Sequence, residues 1–153
     1  MSAWRRRALA AAISLALFAL IQFVPYGHDH SRPAAGARPA WDSPRTLELA
    51  KQACFDCHSG ETRWPWYASI APISWRLQTH VTRGRQKLDF TAFAPADSAM
   101  AEAAGEAGES VSKREMPPND YLWVHPEARL TPEERQALIA GLHSTFAAHA
   151  GRQ

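Results

Sequence analysis

The chain has 153 residues, 46% hydrophobic and 21% charged, with a formal net charge of +2, which is the composition of an ordinary globular protein of about one modest domain. Only two cysteines are present, so a zinc site built on four thiolates is excluded. No basic run with interleaved aromatic residues occurs, so nucleic acid is not an expected partner.

In chain order, Trp4 to Arg7 form a basic start and Ala8 to Val24 a continuous apolar segment interrupted only by Ser14 and Gln22. Its length suits a short membrane span, and no small-x-small cleavage site follows closely behind it. Residues 1–24 are therefore expected to form an uncleaved signal anchor. With Arg5, Arg6 and Arg7 all on one side, the positive-inside rule keeps them in the cytoplasm and exports everything after Val24. The expected location is the inner membrane, single-pass, with the rest of the chain in the periplasm.

This segment holds three of the 17 basic residues and none of the 15 acidic ones, so the exported part carries one more acidic group than basic. Residues 25–40, with Pro25, Pro33, Pro39, Gly27 and Gly36, read as a flexible linker that lacks the apolar surface to order itself. His28 and His30 fall within it and are expected to do nothing specific.

The remainder, residues 41–148, reads as all-helical. Ser43 followed by Pro44 is a cap with a first-turn proline, and Arg45 to Ala53 contains no breaker. Leu47, Ala50 and Cys54 then share one face. Trp64-Pro65-Trp66-Tyr67 forms an aromatic loop, a helix runs from about Pro72 to Arg83, and Gly84 ends it as a C-cap. Leu88 to Phe93 is a turn with Phe90 and Phe93 pointing inward. Asp97 caps an alanine-rich helix to about Lys113, weakened by Gly105 and Gly108. Thr131-Pro132-Glu133-Glu134 opens the last helix, with Leu138, Ile139, Leu142 and Phe146 as its apolar stripe.

Cys54-Phe55-Asp56-Cys57-His58 carries the chemistry. A C-x-x-C-H run is the attachment signature of a c-type haem: each sulfur adds to a vinyl group of the porphyrin, and the adjacent histidine binds the iron. A thioredoxin-type dithiol needs a strand ahead of its helix, and none is evident; a zinc site lacks a fourth ligand at finger spacing. One covalent haem c is the expected cofactor, with His58 as one axial ligand. Met116, between a helix end and Pro117-Pro118, is the leading candidate for the other, a pairing that suits electron transfer. His80 and His125 are the alternatives, and His143 and His149 read as surface residues.

Trp64, Trp66, Tyr67 and Trp75 offer flat surfaces that exclude water from a porphyrin and N–H or O–H groups for its propionates. Arg63, Arg76, Arg83 and Arg85 are further propionate candidates. Some of these rings have an equally ordinary role as core filler.

Several blocks in order, Cys54 to Ser59, Trp64 to Trp75, His80-Val81 with Gly84-Arg85, Leu88-Asp89-Phe90, Met116-Pro117-Pro118, Tyr121 and His125-Pro126, resemble the bacterial haem-binding domain family, a cytochrome c-like group. Where that family often has Asn after Cys-His-Ser, this chain has Gly60. The resemblance implies a cytochrome c-like helical fold, covalent haem through Cys54 and Cys57, His58 as ligand and Met116 in the methionine-proline position. The expected function is single-electron transfer by a membrane-tethered cytochrome with unidentified redox protein partners, an electron carrier more than an enzyme. A haem peroxidase or gas sensor with a labile sixth ligand, and a passive haem-binding module of a larger complex, are the competing readings.

Overall fold

A computed structural model describes residues 2–34 and 36–150, with side chains as far as residue 147, so the His149 side chain lies outside the described residues. Seven α-helices and two short 3-10 turns make up the described regular structure, and no strand occurs among the described residues. The chain divides into two compact units, Met1–Ser31 with Trp64–His80, and Arg32–Arg63 with Val81–Gln153.

The first unit contains helix α1, Ala3–Ile21, which buries none of its residues. The expected anchor is shorter than the sequence suggests. From Ala8 to Ile21 the apolar helical stretch extends about 21 Å at 1.5 Å per residue, against roughly 30 Å of bilayer hydrocarbon. No described helix is long and apolar enough to cross a membrane. The helix stops where the Gln22 side chain is captured by Ala71, donating to its carbonyl at 3.1 Å and accepting from its N–H at 2.9 Å. Beyond it, Gly27 has φ 89, and a Cβ there would lie 2.8 Å from the Ser74 backbone, so both conformation and space call for glycine.

The described residues of the segment read as a linker carry no helix or strand, yet several of its groups are held. His30 stacks on Trp64 at 4.4 Å and its Nε2 lies 3.2 Å from the Ala68 carbonyl, a specific role that its place in a proline-rich stretch does not announce. In the second unit the Gly36 N–H donates to the Thr91 carbonyl at 2.7 Å, and the Ala37 carbonyl accepts from Phe93 at 2.8 Å.

Helix α2, Pro44–Ala53, forms as its first residues dictate: Ser43 accepts from the Thr46 N–H and Pro44 opens the first turn. It buries Thr46, Leu49, Ala50 and Ala53, with Leu47 only partly covered, so its inward face is rotated toward Leu49 from the expected line. A four-residue helix α3, Phe55–His58, follows directly. Helix α4, Ile73–Lys87, starts in the first unit and runs into the second. It passes Gly84 without ending, which corrects the C-cap expectation; what that glycine does is a matter of packing, described below.

Helix α5, Ser98–Ser112, is capped by Asp97, whose carboxylate accepts from Ala99 and Met100. Helix α6, Asn119–Val124, was not evident from sequence. Helix α7, Pro132–Ala150, begins with the reciprocal cap, Glu134 N–H to Thr131 Oγ1 at 3.1 Å and Thr131 N–H to Glu134 Oε2 at 3.0 Å. Helices α5 and α2 both pack on α7. Small residues permit these approaches: a Cβ on Gly108 would meet the His143 ring at 2.8 Å, and Gly141 lies against Thr46. Leu138, Leu142 and Phe146 join Leu49, Phe55, Phe90 and Phe93 in one core.

Candidate functional site

The Cys54–His58 turn sits directly on this core. Cys54 ends α2, donating to the Ala50 carbonyl at 2.8 Å, and begins α3, its carbonyl accepting from Cys57 at 3.2 Å and His58 at 2.9 Å. Positions i, i+3 and i+4 share one helix face, so this local fold brings both sulfurs and the imidazole to the same side. Phe55 points the other way into the core, stacked on Phe90 at 5.5 Å.

The His58 ring is fixed by a residue far along the chain. Its Nδ1 donates to the Leu88 carbonyl at 3.0 Å, which can only accept, so Nδ1 carries the proton and Nε2 keeps its lone pair. The Phe90 N–H donates to the His58 carbonyl at 2.8 Å, clamping the backbone from the same loop. Burial pushes the imidazole below its ordinary value, opposed by bonding to the backbone of Leu88 and Gly84, so it is held neutral. A neutral imidazole with one nitrogen anchored and the other available is the ligand form.

Both thiols are free. Burial, then the neighbouring Cys57, push the Cys54 thiol up to about 12. Burial, then Asp56 and Asp120, push Cys57 up to about 11, with Arg85 pulling the other way. Protonated thiols resist oxidation to a disulfide. Two reduced thiols and one neutral imidazole on a single turn fit the attachment chemistry of a haem.

The other two residues of the motif hold it in place. Burial would raise the Asp56 carboxyl, but Arg63 and Tyr121 outweigh it and hold the group below the usual carboxylate range. Arg63 donates to Oδ1 from its backbone at 3.0 Å and from Nε at 3.2 Å, and to Oδ2 from Nη2 at 3.0 Å; the Tyr121 hydroxyl donates to Oδ2 at 2.7 Å. Arg85 donates to the Ser59 carbonyl at 2.8 Å and to Thr62 Oγ1 at 2.9 Å. Arg63 and Arg85 are thus engaged on the motif and the loop behind it. Gly60 donates to Thr91 Oγ1 at 2.6 Å, and Thr91 in turn donates to Asp89 at 2.7 Å.

Gly84 explains how α4 reaches this turn. A Cβ there would stand 2.4 Å from the Cys57 carbonyl oxygen and 3.0 Å from its carbon, so only glycine lets the two backbones come so close.

Met116 lies between α5 and α6, 39% exposed, its N–H donating to the Ser110 carbonyl at 3.2 Å, and the Pro117 that follows is buried. The ring of His125 stacks on Tyr121 at 4.4 Å and its Nδ1 contacts Glu127 at 2.9 Å. His143 is exposed over Gly108. Cys54, Cys57, His58, Met116 and His125 belong to the second unit, and His80 to the first.

Trp64, Trp66, Tyr67 and Trp75 also belong to the first unit. Trp64 is stacked on His30, Trp66 is 80% exposed and lies edge-on to Tyr67 at 5.7 Å, and the buried Trp75 Nε1 has no hydrogen-bond partner. Sequence reasoning missed Asp56, Tyr121, Leu88 and the packing of Gly84. Two signals were available: an acidic residue inside the motif with Arg63 close behind it, and a glycine late in a helical stretch that polar residues continue beyond it.

A family model described as haem-binding domain matches residues 16–144. The chain belongs to the haem-binding domain family. The match begins inside α1, well before residue 41, so it takes in the proline-rich segment that holds Gly27 and His30. No curated protein and no solved structure matches this haem-binding domain chain.

Proposed function

We propose that this haem-binding domain is a membrane-tethered c-type cytochrome that transfers single electrons, with a cytochrome c-like fold and one haem held covalently by Cys54 and Cys57. The observation that carries the reading is the His58 imidazole, neutral and tied through Nδ1 to Leu88, on the same helical turn as two free thiols. Cys54 and Cys57 would hold the group by each adding its S–H across a vinyl double bond, sulfur to one carbon and hydrogen to the other, so that no oxidant is consumed. When bound, the haem supplies an iron that accepts and returns one electron. His58, through Nε2, and Met116, through its sulfur, would hold that iron, a pairing that raises the reduction potential.

Absorption of the oxidised protein tests this reading. The weak far-red sulfur-to-iron band is expected in the wild type and is expected to vanish in Met116→Ala. A wild-type iron that is already high-spin and binds cyanide quickly favours the peroxidase or sensor reading, in which the sixth position is open. A passive module keeps the band but exchanges electrons with no membrane donor.

The tether and the export of the haem domain are part of the same proposal. From Ala8 onward α1 is apolar around its circumference except at Ser14, with Leu15, Leu17 and Leu20 exposed, a pattern that suits lipid on all sides better than docking by one face. Arg5 to Arg7 fit the cytoplasmic headgroups. A chain starting after Val24 is expected in the soluble fraction, whereas the full chain stays with membranes through an alkaline carbonate wash. Release of the full chain by that wash contradicts the tether and leaves the haem reading intact.

A further inference from the structure

We infer that the hydrogen bond from the Tyr121 hydroxyl to Asp56 is a latch that holds the methionine loop against the haem-attachment turn, making Tyr121 a positioning residue for Met116. The inference rests on Met116 as distal ligand.

Two anchors bracket Met116. Upstream, the Ser110 carbonyl at the end of α5 accepts from both Glu115, at 3.0 Å, and Met116, at 3.2 Å, and Arg114 turns the chain at φ 60. Downstream, Pro117 is buried, the Pro118 carbonyl accepts from Leu122 at 3.1 Å, and this first turn of α6 carries Tyr121. The 2.7 Å bond from Tyr121 to Asp56 Oδ2 is therefore a tertiary tie on the C-terminal side of the methionine.

Asp56 is a fixed point at the other end. It sits between the two cysteines, its side chain is 10% exposed, and three bonds from Arg63 hold its carboxylate. A tie to Asp56 is a tie to the turn that carries His58. One hydrogen bond thereby joins the segments that bear the two proposed axial ligands. The carboxylate acceptor makes it charge-assisted, and hence stronger than a neutral pair.

Tyr121→Phe isolates the hydroxyl. The ring remains stacked on His125, whose Nδ1 is turned to Glu127, so the aromatic packing does not depend on the bond removed. With the latch gone, the loop swings away more often and exposes the iron.

The test is cyanide binding to the oxidised full-length holoprotein, read together with the far-red band. In Tyr121→Phe the binding rate is expected to rise about ten- to a hundredfold, the range set by loss of a hydrogen bond to a charged group. Asp56→Asn keeps an acceptor without the charge and is expected to move the rate in the same direction by less; it carries the test if Tyr121→Phe does not fold. In a Met116→Ala background Tyr121→Phe is expected to change nothing, because no methionine remains to be positioned, whereas general loosening of the fold would speed binding there too. A wild type without the far-red band overturns methionine ligation and this inference with it. A wild type with the band, and a Tyr121→Phe rate equal to its own, overturns the latch and leaves methionine ligation standing.

Discussion

Replacing Cys54 and Cys57 together by alanine is expected to yield a chain from which acidified acetone extracts all haem and which lacks a cooperative thermal transition. The reason lies in where the cysteines sit. Cys54 is both the end of α2 and the start of α3, Phe55 beside it enters the core, and His58 is clamped by Leu88 and Phe90. With the proposed covalent attachment, a porphyrin bonded to this turn would act as a ligand that does not diffuse away, equivalent to a very high effective concentration.

A ligand at a thousandfold its dissociation constant stabilises by about 4 kcal/mol. That is a large share of the roughly 5–15 kcal/mol total of a domain this size. Differential scanning calorimetry of the matured wild type and the double variant checks the prediction, with mass spectrometry to count haem. Retention of a sharp transition near the wild-type temperature by the double variant contradicts it.

What could be read from the sequence was local. Ser43 with Pro44, Asp97, and Thr131 with Glu134 each satisfy backbone groups within three residues, and all three caps form where expected. Phe90 and Phe93 point inward, as expected of the two aromatic residues in the turn from Leu88 to Phe93. The Cys54–His58 motif is a five-residue pattern and needed no fold to be seen. Partners distant in sequence were hidden: the carbonyl that orients His58 is thirty residues away, and the hydroxyl on Asp56 comes from sixty-five residues downstream.

Helix α6 was hidden for a different reason. It is six residues long, contains Tyr121, Trp123 and Val124, which are poor helix formers, and is tied to the rest of its unit by the Tyr121 bond to Asp56. The length of the apolar N-terminal run, its one-sided arginines and the absence of a nearby cleavage site suggest an anchor through Val24, and the capture of Gln22 by Ala71 where the helix ends leaves no trace in hydropathy.

Gly84 is the position where the local rule and the tertiary contact conflict most, and it yields the second large effect. A glycine late in an amphipathic stretch reads as a terminator, yet α4 continues to Lys87 because Gly84 is needed for its missing side chain and not for an unusual backbone angle. Gly84→Ala places a methyl group 2.4 Å from the Cys57 carbonyl oxygen, and both contacting atoms nearest it are backbone, so no rotamer change relieves the clash. Either α4 or the attachment turn must shift. Overpacking of this kind costs about 1–3 kcal/mol, more than the roughly 1 kcal/mol that alanine gains over glycine within a helix.

The shift moves Cys57 and His58 relative to Leu88, so the expected result is a lower melting temperature together with a fraction of chains bearing one thioether instead of two. Gly105→Ala supplies the contrast, because nothing lies within 4 Å of the added methyl; it is expected to raise stability by about 1 kcal/mol. Thermal melts and peptide mass mapping of the two variants distinguish the cases. If Gly84→Ala melts with the wild type and carries both thioethers, the close approach of α4 to Cys57 does not govern the site.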